Sequence, residues 1–268
     1  MAAELRALAT IARWQNGMIA AIGVFVGAWW GARDVSRAAT IAAALAAIAL
    51  AAYANSFNDL LDIEIDRRAH PRRPLPSGAL TPRTVRSFAI IAAGAGIAFA
   101  AIARPALGYL SVAVVALMTL YSVALARLPL IGNIVVALLA SLPFFYGAVT
   151  VRAARVGLLL VGVAIPLHLA RELAKSLDDA PADAPYRRTA PLVFGTRVTR
   201  ALIVLAVMLF VWRMLVLVGP RPTLRNLMVP SLTLCALATA RALAARTGAP
   251  LLFKTAMVAA MAALVVAR

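Results

Sequence analysis

The chain has 268 residues, 63% hydrophobic and 14% charged, with a formal net charge of +17. Soluble domains are about 45–50% apolar and about 25% charged, so this composition excludes a water-soluble globule and calls for lipid. The positive charge gathers at the ends of apolar segments, which reads as membrane topology and contact with anionic headgroups and argues against nucleic-acid binding.

Nine apolar segments can be placed, at 10–32, 38–66, 84–103, 106–126, 131–150, 156–180, 197–218, 224–245 and 250–267, most of them near the roughly 20 residues that cross a bilayer core. The expected fold is all-α, a polytopic membrane bundle of about nine transmembrane helices, and abundant alanine suits close helix packing. The first segment leads through Trp29 and Trp30 and reads as a retained helix rather than a cleaved signal. Turns are expected at Arg104-Pro105 and at Arg127-Leu128-Pro129. Lone Cys235 excludes a disulfide framework.

Segments two and six run beyond their apolar cores into polar sequence. With a cytoplasmic N-terminus, 18 of the 27 Lys and Arg fall on the cytoplasmic side, as do both long polar loops. The Ala- and Arg-rich composition points to a bacterial inner membrane.

The chemistry sits in those two loops. Asn55, Asp59, Asp62 and Asp66 fall within about 60° of one another on a continuous helix. Like charges so placed repel unless cations lie between them, and ionisable groups at membrane depth are costly unless they line a cavity or pathway. Asp179 and Asp183 are one turn apart if helix six continues past Pro181; Asp178 reads as solvated. Two such clusters suit Mg²⁺, which takes oxygen ligands and bridges carboxylates to phosphates. Arg72, Arg73, Lys175, Arg187 and Arg188 supply positive charge for phosphate oxygens. Carboxylates, arginines and a membrane cavity together indicate a lipid diphosphate. Both loops close on a glycine, Gly78 and Gly195, which hints at an internal repeat. His70 and His168 have no Cys or His at ligand spacing. Arg13 and Asn16, one turn apart, read as an anchor or a cavity wall, and Tyr121 as an interfacial residue or a substrate contact.

The pattern Asn-x-x-x-Asp-x-x-Asp-x-x-x-Asp from Asn55 to Asp66, followed by Arg73-Pro74-Leu75-Pro76-Ser77-Gly78 and by Asp179-x-x-x-Asp183, resembles the UbiA-type intramembrane prenyltransferase superfamily over almost the whole chain. Arg13-Trp14-Gln15-Asn16, Tyr121-Ser122, Leu128 to Asn133, Arg171 to Lys175 and Thr189-Ala190-Pro191 resemble an ether-lipid-forming subgroup. Ser176 stands where that subgroup usually has Asp, and Ala69 where Asn is common.

The resemblance implies one prenyltransferase domain over 1–268, with helices around a central cavity and a lateral opening for the prenyl tail. It implies Mg²⁺-assisted transfer from a polyprenyl diphosphate to a lipid acceptor, favourably geranylgeranylglyceryl phosphate. An aromatic acceptor is the alternative, and a cation-coupled transporter the remote one. Asn55, Asp59, Asp62, Asp179 and Asp183 are the expected metal ligands. Asp66 is a candidate proton acceptor or, equally, a third ligand in the first motif, and Lys175 would take up charge on the leaving diphosphate. Arg13, Asn16, Arg72, Arg73, Tyr121, Arg171, Lys175, Arg187 and Arg188 are the expected substrate contacts.

Overall fold

The computed structural model describes residues 2–32, 35–184 and 188–266, and every regular element among them is helical. The order is α1 (Ala2–Ile11), α2 (Trp14–Gly31), α3 (Arg37–Leu61), α4 (Ile63–Ala69), α5 (Pro82–Ala103) and α6 (Pro105–Val123). After a single 3-10 turn, Leu125–Arg127, come α7 (Ile131–Thr150), α8 (Ala154–Asp183), α9 (Ala190–Val218), α10 (Pro222–Leu243) and α11 (Ala249–Val266). Among the described residues, eight helices, α3 and α5 to α11, are long and apolar enough to cross a membrane. With the 18-residue α2 they correspond to the nine expected segments. The chain is an all-α integral membrane protein.

Three segments differ in detail from the sequence reading. The first, 10–32, is interrupted at Arg13, whose backbone is left-handed at φ 50, ψ 57. The second, 38–66, breaks at Asp62 (φ −95, ψ 10), so the four motif residues do not share one continuous helix. That break relieves a stripe on which like charges would stack turn upon turn. The seventh begins earlier, at Ala190, and is bent at Gly195 (φ 84, ψ 158), a conformation open essentially to glycine. Helix α8, by contrast, continues through Pro181 to Asp183, so Asp179 and Asp183 do lie one turn apart.

The chain forms two compact units, residues 1–125 with 146–154, and residues 126–145 with 155–268. In the first, α3 packs against α2 and α5, and α5 against α6. Small residues allow the approach: α3 buries Ala42, Ala43, Ala46 and Ala47, as expected where van der Waals packing replaces a hydrophobic drive. On the outer faces Ile91, Ile102 and Tyr109 are 68%, 72% and 81% exposed, the surface that lipid covers. In the second unit α10 packs against α11 and α9.

Two features fix the ends of α3. At its start Thr40 and Thr150 share a hydrogen bond of 3.2 Å, and Arg104 donates to the Thr150 carbonyl at 2.9 Å. Asp59 lies 19 residues further along, about 28 Å at the helical rise, or one bilayer core. Near the other end, Ile11, Leu75, Leu80 and Val85 form a small buried cluster with Leu60 and Ile63 packed against it. This cluster pins the loop after α4 to the end of α1 and the start of α5. Backbone bonds from Ser77 N–H to the Arg73 carbonyl and from Leu80 N–H to the Pro74 carbonyl, both 3.0 Å, hold the loop's turns.

Gly147 of α7 lies hard against the α2 backbone: an added Cβ would lie 1.8 Å from the Val24 carbonyl oxygen. Gly147→Ala should therefore lower the melting temperature in detergent, by the equivalent of about 1–3 kcal/mol for overpacking. An unchanged melting curve would mean that these backbones are farther apart than described.

Candidate active site

The first Asp motif is built where α3 ends. Asp59 and Asp66 are only 3% and 4% exposed. A carboxylate so removed from water needs a cation or several donors, and each has an arginine. Arg13 donates from Nη2 to Asp59 Oδ1 at 2.8 Å and from Nη1 to Asn55 Oδ1 at 3.2 Å. Asn55 returns a bond from Nδ2 to the Ala12 carbonyl at 3.0 Å. Arg73 donates from Nη1 to both oxygens of Asp66, at 2.7 and 2.8 Å, and stands 4.0 Å from Asp59 Oδ1. Asp62, at the break, accepts Asn58 Nδ2 at 2.7 Å.

The local backbone explains both arginines. Left-handed geometry at a non-glycine residue costs roughly 1–2 kcal/mol, and at Arg13 it is held by the three bonds that tie the α1–α2 break to α3. Arg73 is brought back to Asp66 by a loop whose Leu75 and Leu80 are buried beside Ile11. One apolar cluster thus seats both cations.

The second motif lies in the second unit and is more open. Lys175 Nζ donates to Asp179 Oδ2 at 2.6 Å, with the two side chains 48% and 33% exposed. Arg171 and Glu172 form an ion pair. Ser176 accepts Asn133 Nδ2 at 2.9 Å and donates to the Glu172 carbonyl at 3.0 Å. Asp183 is half-buried in the last turn of α8. Asp178 is exposed, as read from the sequence, yet also accepts the Gly248 N–H at 3.4 Å.

Arg72 and Arg188 are exposed, and Asn16, Tyr121 and Arg171 half-buried; Arg187 lies outside the described residues. The sequence reading did not anticipate the Arg13 clasp on Asn55 and Asp59, nor the Asn133–Ser176 bond. A polar Asn133 in the otherwise apolar opening of α7 was the available signal for the latter.

Among the described residues no three His, Cys, Asp or Glu side chains are grouped into a closed metal cage. The first motif nevertheless fits Mg²⁺ by donor chemistry: Asn55, Asp59 and Asp62 offer only hard oxygens. Mg²⁺ needs just one or two carboxylates, leaving its other positions to water and phosphate.

The UbiA prenyltransferase family pattern matches residues 20–265. A digeranylgeranylglyceryl phosphate synthase of Methanopyrus kandleri is 33% identical over 192 residues, covering 71% of this chain and 70% of that protein. A protein of the same name from Natronomonas pharaonis is 33% identical over 280 residues, 99% of this chain and 98% of its own. A UbiA homolog from Archaeoglobus fulgidus, solved bound to GPP and Mg²⁺, has the same fold, with a TM-score of 0.72 at 15% identity over 97% of this chain and 99% of that one. Eight helices able to span a membrane, two Asp motifs and these matches lead to one assignment: the chain belongs to the UbiA prenyltransferase family and is an intramembrane prenyltransferase.

Proposed function

We propose that this enzyme moves a prenyl group from a polyprenyl diphosphate to the hydroxyl of geranylgeranylglyceryl phosphate, forming an ether lipid. The observation that carries this reading is the first motif itself, two buried carboxylates each clasped by an arginine at the end of a membrane helix. The names of the two relatives support the acceptor, and the GPP bound by the Archaeoglobus homolog supports the donor class. The Ala- and Arg-rich composition supports a bacterial inner membrane, and the charge bias of the loops supports a site toward the cytoplasm.

Asn55, Asp59 and Asp62 would hold one Mg²⁺, and Asp179 with Asp183 another. Bound there, Mg²⁺ would stabilise negative charge as the allylic C–O bond breaks. Arg72, Arg73, Lys175, Arg187 and Arg188 would receive diphosphate oxygens, an attraction that strengthens as water is excluded. Lys175 is suited to this because its partner Asp179 is partly exposed, and such pairs are weak. Arg13, Asn16, Tyr121 and Arg171 would orient donor and acceptor, positioning that lowers the barrier to attack on the prenyl cation. Asp66 would take the hydroxyl proton. Both its oxygens accept from Arg73, so an oxygen is freed to receive that proton only as Arg73 turns toward phosphate. Ser176 is committed to Asn133 and the Glu172 carbonyl, so in this chain it steadies α7 on α8. The second motif then works with one carboxylate fewer than in the subgroup.

Purified protein supplied with geranylgeranyl diphosphate, geranylgeranylglyceryl phosphate and Mg²⁺ should release diphosphate and form the ether product. EDTA should abolish both. Asp59→Ala and Asp183→Ala should each lower the rate by about 10²-fold or more, the usual scale for a lost electrostatic contact in the transition state. A prenylated aromatic product from 4-hydroxybenzoate, with none from the glycerol phosphate, would reassign the acceptor. Cation flux without diphosphate release would remove the reading altogether. Arg73→Ala should cost stability of about 1–3 kcal/mol by leaving buried Asp66 without its donor. Adding Asp66→Asn should restore most of that melting temperature but not the activity.

A further inference from the structure

The clasp at Arg13 uses the very oxygens that the proposed metal site needs. Asn55 Oδ1 and Asp59 Oδ1 both accept from its guanidinium, at 3.2 and 2.8 Å, and the same Asp59 oxygen lies 4.0 Å from Arg73. Asn55 is engaged at both ends, since its Nδ2 donates to the Ala12 carbonyl at 3.0 Å. The contact is no accident of a long surface side chain. It is held by a left-handed residue, φ 50, between two helices that the sequence would otherwise run together. Arg13 keeps one third of its side-chain surface exposed while Asp59 keeps 5%, so of the two partners the arginine is the one able to swing away.

A guanidinium and a divalent ion compete for the same two oxygens, because each lowers the negative charge the other needs and the two cations repel. Once the ion compensates buried Asp59, the partly exposed Arg13 is released toward solvent, where a diphosphate offers oxygens that guanidinium binds in fork geometry. From this we infer that Arg13 is an exchangeable internal counter-cation. It holds Asn55 and Asp59 in the metal-free enzyme, competes with the divalent ion for them, and passes to the diphosphate that arrives with the ion. Metal and donor then bind cooperatively, and the ion alone binds weakly. The inference rests on the reading of Asn55 and Asp59 as metal ligands.

The test is Mn²⁺ binding to the detergent-purified full chain without substrate, followed by electron paramagnetic resonance. Arg13→Gln, which keeps length and polarity but drops the charge, should bind Mn²⁺ about tenfold more tightly than wild type, the equivalent of one charge-assisted hydrogen bond. Arg13→Lys should stay near wild type. At saturating Mn²⁺, Arg13→Gln should bind a geranylgeranyl thiolodiphosphate analogue more weakly than wild type. A second measurement leaves position 13 intact: the emission of neighbouring Trp14, isolated by difference from Trp14→Phe, should shift with Mg²⁺ plus analogue and not with Mg²⁺ alone. Unchanged or weaker Mn²⁺ binding by folded Arg13→Gln, or a Trp14 signal indifferent to the analogue, overturns the exchange while leaving the metal site standing. Wild-type protein that takes up no Mn²⁺ even with the analogue overturns the metal reading and this inference together.

Discussion

Burying a carboxylate beside a bilayer governs this molecule more than any packing contact does. An isolated ionised group in a low-dielectric setting costs more free energy than a domain's whole margin of stability. The first unit takes that cost twice, at Asp59 and Asp66. Two unusual pieces of backbone nearby each supply a compensating cation. The left-handed turn at Arg13 and the loop folded back from α4 bring guanidinium groups to the acids. The break at Asp62 keeps the acids from stacking on a single stripe.

The two motifs meet that demand differently. The first is buried and clasped, with arginines seated by a shared cluster of Ile11, Leu75, Leu80 and Val85. The second is half-exposed, its Lys175–Asp179 pair one turn apart on the same helix. Such a pair contributes little to stability and reorganises easily. The first motif is thus the more enclosed of the two and the second the more accessible to water. Arg13 and Arg73 add stability by compensating the buried acids, which on the proposed chemistry sets stability against reactivity at those two positions.

Much of this was legible in the sequence. Apolar runs gave the spans, because a bilayer leaves helices few alternatives, and the carboxylate spacings marked both motifs. The continuous helix through Asp66 was not legible as broken, since periodicity alone carries no charge repulsion and no memory of a loop returning from residue 73. Nor was the Arg13 hinge, where Ala12 and Arg13 are ordinary helix formers and the left-handed turn exists only because Asn55 and Asp59, over forty positions later, reward it. Gly195 was read as the end of a loop and proved to be a bend inside α9. Ser176 was visible as a departure, but its bond to Asn133 depends on how α7 and α8 pack.

The bond from Gly248 to Asp178 has a mechanical meaning. The turn between α10 and α11, braced by Arg241 donating twice to the Thr247 carbonyl, is fastened to the residue adjoining Asp179. A hydrophobic helix pair with no acid of its own thereby places a backbone donor against the residue beside Asp179, and any movement of that turn would change the surroundings of the second motif first at Asp178.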